Sequence, residues 1–302
     1  MIQMKYKRSF GSHLFDFMNV ALISVFLLTI IYPFLNIIAI SFSNQVHVAL
    51  NDITVFPKGF TFSSYAYVFR DPSVFRGYLN SILYAGVGTF FSLLFTSLMA
   101  YPLTVPEFLG KKFITIFLTI TMFFGGGMIP TYLLVRNLSL LNTLWVMVLP
   151  GCVGAYNVFL FRTFFQNLPK ELREAAVLDG ANDLDLLFRI VIPLSLPLIA
   201  TFALFGIVGS WNSWFNALIY LNDQNRFPVQ LILRNYLYQM DAGTLQQMGG
   251  NGGGGFNMMQ RGVTPQSIRM AMVVVTMFPI MMIYPFFQKY FVKGVVVGAI
   301  KG

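Results

Sequence analysis

Chemistry needs side chains that ionise, ligate or attack, and in this chain they are few and unevenly spread. Of eleven acidic residues in 302, five fall between Leu168 and Pro197: Glu171, Glu174, Asp179, Asp183 and Asp185. The two histidines, His13 and His47, stand apart in flanking segments, and no paired carboxylates face one another inside an apolar run. Acid–base and metal catalysis therefore lack their parts. The one cysteine, Cys152, excludes an internal disulfide and a cysteine-based metal cluster. Gly250, Gly252 and Gly255 match G-x-G-x-x-G, but they lie in a run of glycines (Met248–Phe256) with no strand before it. That spacing is compositional. No G-x-x-x-x-G-K-[ST] occurs, so hydrolysis of nucleotide is not expected of this chain, nor is a bound metal or cofactor. What remains is a charged segment between two apolar runs, and its chemistry is recognition.

The local signals in that segment give it a shape. Pro169 suits the first turn of a helix, and Glu171 and Glu174 favour its positive end. Ala175, Ala176, Val177 and Leu178 continue it, and Gly180 supplies the left-handed residue that ends it. Asn182 or Asp183 then caps a second helix, which Pro193 and Pro197 punctuate. The segment predicts helix, glycine turn, helix, outside a membrane.

The rest of the chain must hold that segment in place, and its solvent is lipid. Hydrophobic residues make up 56% and charged residues 10%, with 33 phenylalanines and a mean hydropathy of +0.68. The formal charge of +9 is scattered, with no aromatic–basic stripe, so nucleic acid is not an expected partner. Six apolar runs reach the roughly 20 residues that a helix needs to cross a bilayer. They are Phe17–Ile40, Tyr78–Tyr101, Phe113–Val135, Leu141–Phe161, Ile192–Leu221 and Met270–Phe291. The first is too long for a cleavable signal peptide and reads as a retained span. The reading is one all-α, multi-pass membrane domain over 1–302. Lys and Arg near the span ends place both termini and the 165–192 loop in the cytoplasm, and the 222–268 loop outside. In the third run, Gly125-Gly126-Gly127 with Pro130 predicts a kink or break. Asn142-Thr143 and Trp145 read as an interfacial anchor.

Glu174-Ala175-Ala176, Gly180 after three residues, Ile190 after nine more and Pro193 resemble the EAA loop of ABC-importer permeases. Ile192 stands where that pattern usually has leucine, a conservative departure. Several further segments are similar to carbohydrate-uptake permeases of the maltose-type family, LplC/YtcP-like. These are Tyr78–Ile82, Phe123–Leu134, Phe161–Phe165, Trp211–Ala217 and Val297–Gly302. The resemblance implies a type I importer permease fold and one half of a heterodimeric oligosaccharide channel. It implies a homologous second permease subunit, an extracytoplasmic solute-binding protein, and two ATPase subunits that carry the ATP and Mg2+. Glu174, Ala175, Ala176, Asp179 and Gly180 would dock in the ATPase. The tail Gly298, Ala299, Ile300, Lys301 and Gly302 would reach the ATPase dimer, and the outer loop would enter the binding protein as a scoop.

For the sugar path, helical spacing puts Trp211, Trp214 and Phe215 on one face of the fifth run, with Asn212 and Asn216 beside them. Aromatic faces stack on sugar C–H surfaces and amides bond hydroxyls, but an interfacial aromatic belt accounts for the pattern equally well. Tyr132 and Asn157 are further candidates. Arg226, Arg234 and Arg261 would suit an acidic oligosaccharide, or simply solvent or a protein partner. The alternative is a stand-alone secondary transporter or channel for a small polar solute. Apolar runs almost without acids speak against proton or sodium coupling.

Overall fold

The computed structural model describes residues 10–248 and 262–299, the side chains of 170, 239–248 and 287–299 excepted. Among the described residues the regular structure is helical, without a strand. Helix α1 covers Phe10–Ser41, α2 Gln45–Ala49, α3 Ser63–Arg70 and α4 Pro72–Ala100. Asp71 caps α4 by accepting from Ser73 N–H, and Pro72 fills its first position, where no backbone donor is required.

Two of the apolar runs are broken where their glycines and prolines fall. Helix α5, Lys111–Phe123, and α6, Met128–Asn137, meet at 118° across the glycine run, with Gly127 at φ +77°. Pro130 sits in the first turn of α6, where its missing N–H is harmless, so the break falls before it. Helix α10, Asp183–Leu194, and α11, Leu196–Trp211, meet at 81° about Ser195. The expected fourth span, Leu141–Phe161, is not one continuous helix. It consists of α7, Leu144–Val148, and α8, Ala155–Gln166, parted by a turn holding Pro150 and Gly151 at φ +79°. Among the described residues three helices are single pieces long and apolar enough to cross a membrane, Phe10–Ser41, Pro72–Thr104 and Pro265–Phe286; with each bent pair taken as one span there are up to five. The remaining helices are α9, Lys170–Leu178; α12, Phe215–Tyr220; α13, Val229–Met248; and α14, Pro265–Ala299.

The chain divides into two compact units. One takes the described parts of Met1–Arg70 and Tyr236–Val275. Ala39, Ile40, Val48 and Ile53 are buried there against Met270, and Asn36 Nδ2 donates to the carbonyls of Ile53 and Thr54 at 3.1 and 2.7 Å. Asp52 accepts from Lys58 Nζ at 2.9 Å and lies 3.2 Å from His47 Nδ1. The Lys58 hydrogen bond, helped by His47, holds the Asp52 carboxyl below its ordinary range.

The other unit takes Asp71–Asn235 and Thr276 onward. Its axis is the pairing of α4 with α11. A Cβ on Gly206 would lie 2.8 Å from Thr89 Oγ1, so these helices approach as closely as small residues allow. One core cluster gathers Tyr101, Leu103, Phe161, Phe165, Leu186 and Leu187; a second gathers Tyr84, Val135, Val146, Ala217, Tyr220 and Leu231.

Candidate functional site

The acid-rich segment folds as its sequence predicts. Helix α9 begins after Pro169 and closes with a paired C-terminal motif. Gly180 N–H donates to the carbonyl of Val177 and Ala181 N–H to that of Ala176, with Gly180 at φ +82°. A Cβ on Gly180 would touch nothing within 4 Å, so glycine is required there by the backbone alone. Asn182 Oδ1 then caps α10 by accepting from Asp185 N–H at 2.9 Å. Leu186–Val191 winds as a π-helix, a form that recurs at functional sites. Leu186 and Leu187 anchor it in the core. Tyr101 Oη donates to Asp183 at 3.2 Å, and Arg189 pairs with Asp185 at 3.1 Å. The second half of the elbow is thereby fixed to the end of α4 through Tyr101 and to the core through Leu186 and Leu187.

Its faces are sorted. Glu174, Ala175, Asp179 and Gly180 are exposed. Ala176 is not on that face: it is 8% exposed and belongs to the cluster with Leu186 and Leu187. The expectation that Ala176 forms part of the outward surface is corrected, because two residues, about half a helical turn, separate it from both Glu174 and Leu178. The apolar outward residues are Leu172, Val177 and Leu178, the last 88% exposed. Sequence reasoning passed over them as ordinary helix formers, although two large apolar residues next to a helix stop outside the membrane were a readable signal. The same outward residues Leu172, Glu174, Val177 and Leu178 line one wall of a groove of about 950 Å³, with Tyr101 and Ile190 also in its lining.

The proposed sugar-path residues do not stay together. Helix α11 stops at Trp211 and α12 begins at Phe215, so no common helical face runs through them. Trp211 is 2% exposed, packs edge-on to Tyr78 and donates from Nε1 to the carbonyl of Thr276. Its ring is a core element, which corrects its placement as an open stacking face. Asn212 accepts from Gln230 Nε2, Arg234 lies over the Trp214 ring at 5.0 Å, and Tyr132 stacks on Tyr220. Asn157 and Asn216 do share one place, a cavity of about 370 Å³ among α4, α8 and α11. Thr89, Ser92, Thr96 and Cys152 also line it, and none of these four was singled out for it by sequence. Of the tail candidates, Gly298 and Ala299 end α14 with undescribed side chains. Ile300, Lys301 and Gly302 lie outside the described residues, as does Arg261.

A second arrangement was also missed. Four residues on one end of α4 hold the turn between α12 and α13: Arg76 on Asn225, Asn80 on the carbonyls of Asn225 and Phe227, Ser81 on Val229 N–H, and Tyr84 on the carbonyl of Arg226. Asn142, at φ +58°, accepts from the N–H groups of Asn222 and Asp223 and so clamps the same turn. The polar pair Asn80-Ser81 within an apolar run was the available signal.

Long apolar helices, broken spans and a rigid helical elbow beyond them define a polytopic membrane permease. The chain belongs to the family described as binding-protein-dependent transport system inner membrane component, which matches residues 77–297. It is 41% identical to protein LplC of Bacillus subtilis (strain 168) over 97% of this chain and 96% of that one. To the polygalacturonan/rhamnogalacturonan transport system permease protein YtcP of the same organism it is 37% identical, over 96% and 99%. In the crystal structure of a bacterial ABC transporter involved in the import of the acidic polysaccharide alginate, one chain matches with a TM-score of 0.87 at 29% identity. That match covers 95% of this chain and 100% of the other.

Proposed function

We propose that this chain is one of two homologous permease subunits of an ATP-driven oligosaccharide importer, moved by ATPase subunits that grip the elbow at Lys170–Asp185. It crosses the membrane six times with both termini in the cytoplasm, its bent pairs and the α7–α8 run each counting as one passage. ATP and Mg2+ belong to two ATPase subunits, and a solute-binding protein delivers the sugar to the side bearing the clamped 222–229 turn. Relatives that carry sugar-import names, and the alginate importer that shares the fold, support the substrate class.

The observation that carries the coupling role is the elbow itself. A helix with an outward face of Glu174, Ala175, Val177 and Leu178 is joined to α11 through Gly180 and a π-turn anchored by Leu186 and Leu187, with Ala176 packed inward. Switching a pore from 99:1 to 1:99 takes about 5.5 kcal/mol of differential binding. A loose loop would dissipate such a bias, whereas a segment capped at Asn182 and packed at Leu186 and Leu187 transmits it.

The test is purification of the tagged chain from its native membrane. A second permease and an ATPase should come with it, and ATP hydrolysis should rise when sugar-loaded binding protein is added. Recovery of the chain alone, with unassisted solute flux, would instead identify a stand-alone transporter.

A further inference from the structure

Helix α4 is held at both ends by side chains that reach distant parts of the sequence. It runs unbroken from Pro72 to Ala100, about 43 Å at 1.5 Å per residue. Near its start Arg76, Asn80, Ser81 and Tyr84 hold the 225–229 turn. A Cβ on Gly77 would come within 3.2 Å of the Val229 backbone, so α13 begins directly against it. At the other end Tyr101, 5% exposed, donates from Oη to Asp183 of the elbow at 3.2 Å. Its ring shares a core cluster with Leu103, Leu186 and Leu187, so packing aims the hydroxyl. The first half of the elbow reaches the segment after α4 as well, through Arg173 on Glu107 at 3.7 Å. The covalent route from elbow to α11 is of another kind. It bends by 81° about Ser195, between Pro193 and Pro197, which have no backbone N–H to donate. The Ser195 hydroxyl is buried there without a hydrogen-bond partner. Chain continuity thus supplies a joint, and α4 a straight rod.

We infer that the Tyr101–Asp183 hydrogen bond is the latch through which displacement of the elbow passes along α4 to the 225–229 turn, and a load on that turn passes back to the elbow. The inference rests on the importer reading above and adds two positioning residues to it. A force applied beyond an 81° joint turns the joint before it moves the span. A second attachment, away from the joint, converts that turning into a push on α4. Asp183 suits the task because Asn182 caps its helix and so fixes its backbone. A phenol hydroxyl on a carboxylate is also directional, so the contact is lost when the elbow tilts away. Close packing of Gly206 on Thr89 keeps α4 from bowing between its two ends. Coupling between two sites is reciprocal in binding free energy. A protein docked on the turn and a motor docked on the elbow therefore change each other's affinity by one factor.

The whole transporter, with its ATPase and binding protein, is reconstituted in vesicles and offered α-glucan, arabinan and galactan trisaccharides and trigalacturonate. The sugar taken up best is used thereafter. The readout is the ratio of ATP hydrolysis with sugar-loaded binding protein to hydrolysis without it, beside the melting temperature of the permease. Tyr101→Phe removes the hydroxyl and keeps the buried ring, and Asp183→Ala removes the acceptor; each should lower the ratio about fivefold. Asp183→Asn retains an acceptor oxygen and should retain the ratio. Arg76→Ala loosens the far end of the same rod, so adding it to Tyr101→Phe should lower the ratio no further than Tyr101→Phe alone. An unchanged ratio in Tyr101→Phe, whatever its melting temperature, overturns the latch. So does Asp183→Asn failing as badly as Asp183→Ala, or losses that multiply in the double variant. A wild-type complex that takes up none of the sugars on ATP sinks the importer reading instead.

Discussion

Ala176 and Leu178 are two residues apart and face opposite ways, and under the proposed coupling that opposition separates the fold from the docking surface. Ala176→Leu forces three extra carbons into a cluster already filled by Leu186 and Leu187. Overpacking of this kind costs about 1–3 kcal/mol, so a lowered melting temperature is expected. Leu178→Asp, at an 88% exposed site, should leave the melting temperature unchanged and abolish copurification of the ATPase. Gly180→Ala meets no atom but forces alanine into a left-handed backbone at about 1–2 kcal/mol. The expected readout is less sugar carried per ATP hydrolysed, measured in vesicles, with the assembly intact. Asp52 supplies a pH test. Its folded pKa is depressed, so its stabilisation is full above the ordinary value and disappears as pH falls through the lowered one. Hydrogen exchange in the 44–58 loop should quicken only below about pH 4, and Asp52→Asn should erase that step. At this scale the sequence was most legible where a residue acts through its own backbone, as Gly180 and Asn182 do. It was least legible for Trp211, whose burial depends on Tyr78 and Thr276, far away along the chain.

Helix placement followed from apolar run length, and the break at Gly125–Gly127 was readable because glycine and proline act locally. The turn at Pro150–Gly151 carries the same residue types, yet a continuous apolar run masks it: hydropathy reports the solvent around a segment and is blind to where its backbone bonds stop. The small cavity was hidden for a related reason. Its polar lining is drawn from α4, α8, α11 and α12, so no single stretch of sequence shows it whole. The pairing of α4 with α11 can be tested at Gly206. Gly206→Leu drives a side chain into Thr89, and at about 1–3 kcal/mol for overpacking the permease should unfold at lower temperature in detergent while Gly125→Ala, with open space around it, does not.

For the whole molecule, the proposed orientation places the Gly180 turn and both chain ends on one side of the membrane. A protease site inserted at Gly180 should be cut in inside-out vesicles and spared in right-side-out ones; the reverse pattern would invert the topology. Orientation was inferred from Lys and Arg counts alone, since a bilayer leaves its trace in composition and none in the packing of a single chain. The clamp on the 222–229 turn has a counterpart in the elbow, because each is a turn of the same unit held by side-chain hydrogen bonds. The division of α9 into an inward alanine and an outward leucine carries one more consequence. Under the proposed coupling, mutations that retune the fit to a motor would fall on positions the membrane fold ignores, so such a chain would be free to adopt a new engine, or share one among many importers, without being rebuilt.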